Sequence, residues 1–152
     1  MTPHVQVSRT IAATPAAVFA ALTDITRMGE WSPETIAAEW NDDATTAAVG
    51  ASFTGHNRNG DKEWSTLATV VELVPDERFV FDCSSRGFVF STWGYSIEAT
   101  DGGSCVVTEF AHDKRPESAL ERSAQISGVS DRMTHNRAGM DATLEHLAAA
   151  VE

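Results

Sequence analysis

The chain has 152 residues, 42% of them hydrophobic, enough for one domain with a real core and too apolar for a disordered polymer. Its formal net charge is −11, from 22 aspartate and glutamate residues against 11 lysine and arginine. That balance disfavours nucleic acid, which is held by counterion release to a basic face, and an anionic membrane surface, which repels the chain.

There is no apolar run of about 18 residues and so no expected transmembrane span. The start, Met1-Thr2-Pro3-His4, lacks a basic segment followed by an apolar one, and no secretory leader is expected. Cys83 and Cys105 are far apart and show no metal-ligand spacing; free thiols in a reducing cytoplasm are the expectation. The reading is one cytoplasmic domain over residues 1–152.

His4 to Ile11 alternates, with Val5, Val7 and Ile11 on one face, as in a half-buried strand. Thr14-Pro15 starts a short helix, Thr14 as N-cap and Pro15 at the first helical position, with Val18, Phe19 and Leu22 as its apolar face. A second helical turn covers Ile25 to Gly29 and ends before Pro33, which forces extended chain ahead of it. Strand-like pattern then continues through Ile36–Trp40, Ala51–Arg58, Trp64–Leu73, Arg78–Cys83, Phe88–Ala99 and Cys105–His112. The turns between them are short, Asn59-Gly60 and Asp101-Gly102-Gly103 being the strongest, so the sheet is an antiparallel meander.

Met133, Arg137, Met140, Leu144, Leu147 and Val151 recur at steps of four and three, a stripe about 80° wide on a helix. Arg137 sits near its centre, with Asn136 on its shoulder. Either the Arg137 stem packs while its head reaches solvent, or the helix closes a cavity and Arg137 or Asn136 points into it. His135 and His146 fall opposite the stripe and read as solvated. Between the sheet and this helix, Asp113 to Ser127 reads either as a separate short helix, a lid, or as a plain extension; Leu120 is out of phase and Gly128 weakens the helix there. A long curved sheet crossed by one helix would leave a cavity.

No metal-ligand set, phosphate loop or GxSxG elbow occurs, so no metal or cofactor is expected. Asn57 shares the face of Phe53 and Gly55, so it either points inward or caps the Asn-Gly turn. Trp64 and Thr66 share a face, as do Trp93 and Tyr95. If Phe110 points inward, Glu109 is on the convex, solvated face, and His112 shares the parity of Phe110. His112 then sits at a cavity mouth as a general base beside Asp113, or simply begins the loop to the helix.

The opening stretch from Ile11 through Thr14-Pro15 and Asp24 to Trp31-Ser32-Pro33 resembles that of the START-related helix-grip (SRPBCC) superfamily, in its bacterial polyketide cyclase/dehydrase and lipid-transport branch. Phe53–Arg58 with Trp64, Trp93-Gly94-Tyr95, Gly102-Gly103, Val107–Phe110 and Arg137–Met140 with Thr143-Leu144 continue the similarity over nearly the whole chain. The resemblance implies an α+β fold, a seven-stranded curved antiparallel sheet gripping the C-terminal helix, with a ligand between them. It implies a cyclase or dehydratase acting on a hydrophobic, ketone-bearing small molecule, or a non-catalytic carrier of a lipid or other apolar molecule. It places Trp31, Trp64, Thr66, Trp93 and Tyr95 at the cavity wall. Strand parity and the helix stripe add Phe53, Phe110, Met133, Asn136 and Met140 as candidate substrate contacts, and Arg137, Asn57 and His112, with Tyr95, as candidates for the chemistry. A strand arginine used by such cyclases is replaced here by Ala68, for which Arg137, Asn136 or Asn57 could substitute. The implied partner is the small molecule, with neither nucleic acid nor membrane insertion, and a homodimer is compatible with it.

Overall fold

A computed structural model describes residues 4–152. The reading of a leader-free start rests partly on Met1, Thr2 and Pro3, which lie outside the described residues. Seven antiparallel strands, β1 (His4–Ile11), β2 (Thr35–Trp40), β3 (Ser52–Asn59), β4 (Lys62–Val74), β5 (Arg78–Ser85), β6 (Phe88–Ala99) and β7 (Cys105–Asp113), form one sheet in the order β1-β7-β6-β5-β4-β3-β2. Helix α1 (Pro15–Thr23) and a 3-10 turn (Ile25–Glu30) follow β1; α2 (Leu120–Ser127) and α3 (Arg132–Val151) follow β7.

Local chemistry sets these boundaries. The Thr14 hydroxyl accepts the Ala17 amide at 3.2 Å and caps α1, with Pro15 in the first turn. Arg86 and Gly87 both have positive φ, 53° and 80°, the geometry that closes a two-residue hairpin between β5 and β6. Gly128, at φ 74°, ends α2, and Asp131 caps α3 by accepting the Thr134 amide at 3.2 Å. The 113–128 segment is therefore a separate helix and not an extension of α3.

Register shifts leave Val71 of β4 and Phe90 of β6 as extra residues and bend the strands on either side of central β5. The concave face so formed is filled at one end and hollow at the other. At the filled end Ile11, Val18, Ile25, Trp31, Phe79, Val107, Leu144 and Leu147 form a continuous core under α1 and the C-terminal half of α3. This is the helix-grip arrangement. No helix among the described residues is long and apolar enough to cross a membrane.

The α3 stripe is broader than its apolar residues suggest. Met140, Thr143, Leu144, Leu147 and Ala148 are its buried positions, and Asn136 and Gly139 extend the inward face. Small and polar residues thus shift its centre to one side. Arg137 falls on the flank, exposed, with its guanidinium 3.5 Å from the Gln6 carbonyl of β1. The inward reading of Arg137 is therefore corrected.

Candidate functional site

The hollow end is a cavity of about 940 Å³ between the concave face and the N-terminal half of α3, with α2 closing one side. Its size suits a small organic molecule. Alternation along the strands puts Phe53, Ala68, Phe81 and Trp93 on its apolar floor, and Phe90 beside them. Phe53 and Phe81 meet edge to face at 5.1 Å. From α3, Met133, Asn136, Met140 and Thr143 form the roof.

One ionisable pair is buried in this wall. Tyr95 and Glu109 are directly opposite in the β6–β7 register, both buried and both on the cavity wall. The Tyr95 hydroxyl donates to Glu109 Oε2 at 3.0 Å, while Oε1 has no hydrogen-bond partner. Burial pushes the Glu109 carboxyl up to about 8, the Tyr95 hydrogen bond offsetting only part of the effect. Burial and then the neighbouring carboxylate push the Tyr95 phenol well above its ordinary range, so it remains a donor. The wall thus carries a carboxyl that changes protonation state near neutral pH, as acid–base chemistry requires.

Glu109 is a correction to the sequence reading, which put it on the solvated face. Cys105, Val107, Glu109 and Ala111 are the buried parity of β7. The Phe110 ring instead covers Gly94 on the convex side, where Arg78 stacks over it at 5.4 Å. The signal was present in the uniformly small or apolar neighbours of Glu109, but the large Phe110 side chain outweighed it. Convex aromatic packing is therefore what misled the parity assignment.

A second set of charges surrounds the mouth. Arg132 Nη1 donates to both Glu34 oxygens at 2.8 and 3.0 Å, and His135 Nε2 lies 3.1 Å from Glu34 Oε2. Arg132 also lies over the Trp64 ring at 5.8 Å and donates to Asn136 Oδ1 at 3.2 Å. Arg115 holds Asp113 through Nε at 2.8 Å and donates to Ser123 of α2 at 2.9 Å. Burial would raise the Asp113 carboxyl, but the hydrogen bonds and charge of Arg115, with Arg132 behind it, hold it below its ordinary range. Sequence reasoning missed Arg132, Glu34 and Arg115, and it read His135 as solvated. Pairing of Glu34, just before β2, with α3, and of Arg115, just after β7, with α2 is a tertiary matter that helix periodicity does not report.

The remaining expected site residues divide. Trp64 and Thr66 border the cavity. So does Asn57, but it accepts from Thr35 Oγ1 at 2.7 Å and donates to Thr66 Oγ1 at 2.9 Å, tying β2, β3 and β4 together. Trp31 does not reach the cavity; it is buried in the solid core with Arg27 over its ring at 5.2 Å. Phe110 is likewise absent from the wall. His112 borders the mouth, yet its ring stacks on convex-face His4 at 4.5 Å, and burial, then His4 and Lys114, hold it below its ordinary range. A group so placed is not a general base facing the cavity. Among the described residues no three His, Cys, Asp or Glu side chains stand together as a metal site.

A curved sheet gripping a helix, with a cavity and a buried acid between them, defines a helix-grip protein. The chain belongs to the family described as polyketide cyclase / dehydrase and lipid transport, whose profile matches residues 2–152. No curated protein matches its sequence. A Chromobacterium violaceum crystal structure superposes with TM-score 0.72 at 17% identity, covering 98% of this chain and 97% of that one. The Polyketide_cyc-like protein of Corynebacterium glutamicum gives 0.59 at 25% identity, covering 99% and 90%. The di-domain ARO/CYC StfQ of the steffimycin biosynthetic pathway gives 0.69 at 16% identity, with 97% of this chain matching 49% of that one. The first and third likenesses are of fold alone.

Proposed function

We propose that the chain binds a hydrophobic, ketone-bearing small molecule in this cavity and promotes its cyclisation or dehydration by proton transfer. The observation that carries the reading is the buried, ionisable Tyr95–Glu109 pair on the cavity wall. Family membership supports the same general kind of chemistry. Phe53, Trp64, Thr66, Trp93, Met133, Asn136 and Met140 are the proposed substrate contacts, their flat and adaptable surfaces holding an apolar body.

For a β-hydroxy ketone the steps balance on one carboxyl. The Glu109 carboxylate takes the proton between the two functional carbons, giving an enolate and a neutral carboxyl. That carboxyl then protonates the departing hydroxyl. The C–O bond breaks, the C=C bond forms, water leaves, and Glu109 is again a carboxylate. Tyr95 keeps the carboxyl oriented and stabilises its charged form through the hydrogen bond to Oε2.

The test is turnover of a naphthyl β-hydroxy ketone, followed by its enone absorbance, in parent and Glu109→Gln protein. Loss of about a hundredfold or more in kcat, with ligand affinity retained, is expected. Equal turnover by the variant sinks the catalytic assignment. Binding with no turnover by the parent leaves the cavity as a carrier site.

A further inference from the structure

Charge is distributed unevenly around the cavity. Of the chain's 11 lysine and arginine residues, Arg58, Arg115, Arg122 and Arg132 border it; of its 22 carboxylates only Glu34, Glu109 and Asp113 do. In a protein of net charge −11 this border lacks the general acidic excess. Arg115 is neutralised by Asp113 and Arg132 by Glu34. Arg58 stands opposite Glu63 in the β3–β4 register, on the parity away from buried Asn57.

Arg122 is different. In α2, residues 122, 123, 126 and 127 border the cavity, a helical spacing that puts Arg122 on the cavity-facing edge of the helix, exposed at the rim. Among the described residues it forms no ion pair. The next residue, Ser123, also borders the cavity; it accepts from Arg115 and keeps its own hydroxyl proton to donate. Ile126 and Met133 flank the opening with half-exposed apolar surface, 45% and 38% accessible. An unpaired guanidinium beside a free hydroxyl, above an apolar chamber, is arranged for a carboxylate on an apolar stem.

We infer that the ligand is an oxo acid, its carboxylate held by Arg122 and Ser123 at the mouth while its ketone lies at the Tyr95–Glu109 wall. This rests on the ketone reading above. It adds the chemical class of the other end of the molecule.

The experiment compares a naphthyl oxobutanoate with its methyl ester by calorimetry, on parent and Arg122→Gln protein. The parent is expected to bind the acid about tenfold more tightly than the ester at low salt. Added salt narrows that gap. The Arg122→Gln change removes the preference and leaves ester affinity unchanged. Equal affinity of acid and ester for the parent, or a preference surviving in the variant, overturns the carboxylate inference alone. If neither probe binds, the ketone reading falls and this inference with it.

Discussion

Tyr95 and Glu109 face each other across β6 and β7, the phenol donating to the carboxyl at 3.0 Å with the second carboxyl oxygen unpartnered. This buried acid should be visible in stability before any ligand is known. The folded state holds a proton that the unfolded chain releases, because the carboxyl is raised from 4.5 to about 8. Between those values the folded state binds more protons, so stability falls as pH rises, by up to about 1.4 kcal/mol per pH unit. Below the lower value and above the upper one this group contributes no slope. Urea unfolding from about pH 5 to 8 measures it, and Glu109→Gln should flatten the curve over that window. An unchanged curve in the variant means that Glu109 ionises normally.

The same proton sets the direction of the pH–rate profile. The first step needs the carboxylate, so kcat/KM should rise with pH and level off above about 8. The Tyr95 hydrogen bond lowers the carboxyl from where burial alone would put it. Tyr95→Phe should therefore move the rise to higher pH and destabilise the fold by about 1–3 kcal/mol, since a buried oxygen loses its partner. A profile that keeps its midpoint in Tyr95→Phe would show that another group titrates.

How much of this was legible in the sequence depends on what each residue's partners are. Alternation gave the seven strands, and Thr14-Pro15, Asn59-Gly60 and Gly102-Gly103 marked their connections, because those signals are local. Cavity placement of Trp64, Thr66, Trp93 and Tyr95 followed from the resemblance together with parity. Arg137 and Phe110 were misplaced for related reasons. A helix face was located by its apolar members although Asn136, Gly139 and Thr143 share it, and a strand face was assigned to the larger side chain although both faces are packed. Arg132 was invisible because its partner, Glu34, is about a hundred residues away, across the cavity mouth. Ion pairs of that kind leave no trace in periodicity.

Two glycines separate a yielding contact from an unyielding one. A Cβ on Gly94 would stand 2.5 Å from the tip of the Phe110 ring, whereas one on Gly29 would stand 2.2 Å from the Ile36 carbonyl oxygen. The ring can rotate aside on the convex face; the backbone where β2 meets the 3-10 turn cannot. Gly94→Ala should cost about 1–3 kcal/mol, and Phe110→Leu in the same chain should recover much of it. Gly29→Ala should cost more, and trimming Ile36 should not rescue it. Thermal unfolding of the four variants decides, and equal rescue at both sites would sink the distinction.

Helix α2 is held by polar ties more than by packing. Asn59 donates from Nδ2 to the Ser127 carbonyl at 2.8 Å, and Arg115 donates to Ser123 at 2.9 Å. Ser127 is the buried residue of α2, while Leu120 and Ile126 remain 41% and 45% accessible. Elements with so little apolar burial open locally at low cost. Asn59→Ala removes one of these ties, worth about 1 kcal/mol, so the open form should become about fivefold more populated. Amide exchange over residues 120–128 should accelerate accordingly, and release of a cavity ligand should quicken with it, while protection of β5 and β6 stays at the parent level. If exchange rises equally throughout the sheet, Asn59 supports the whole fold and α2 is not an independent gate.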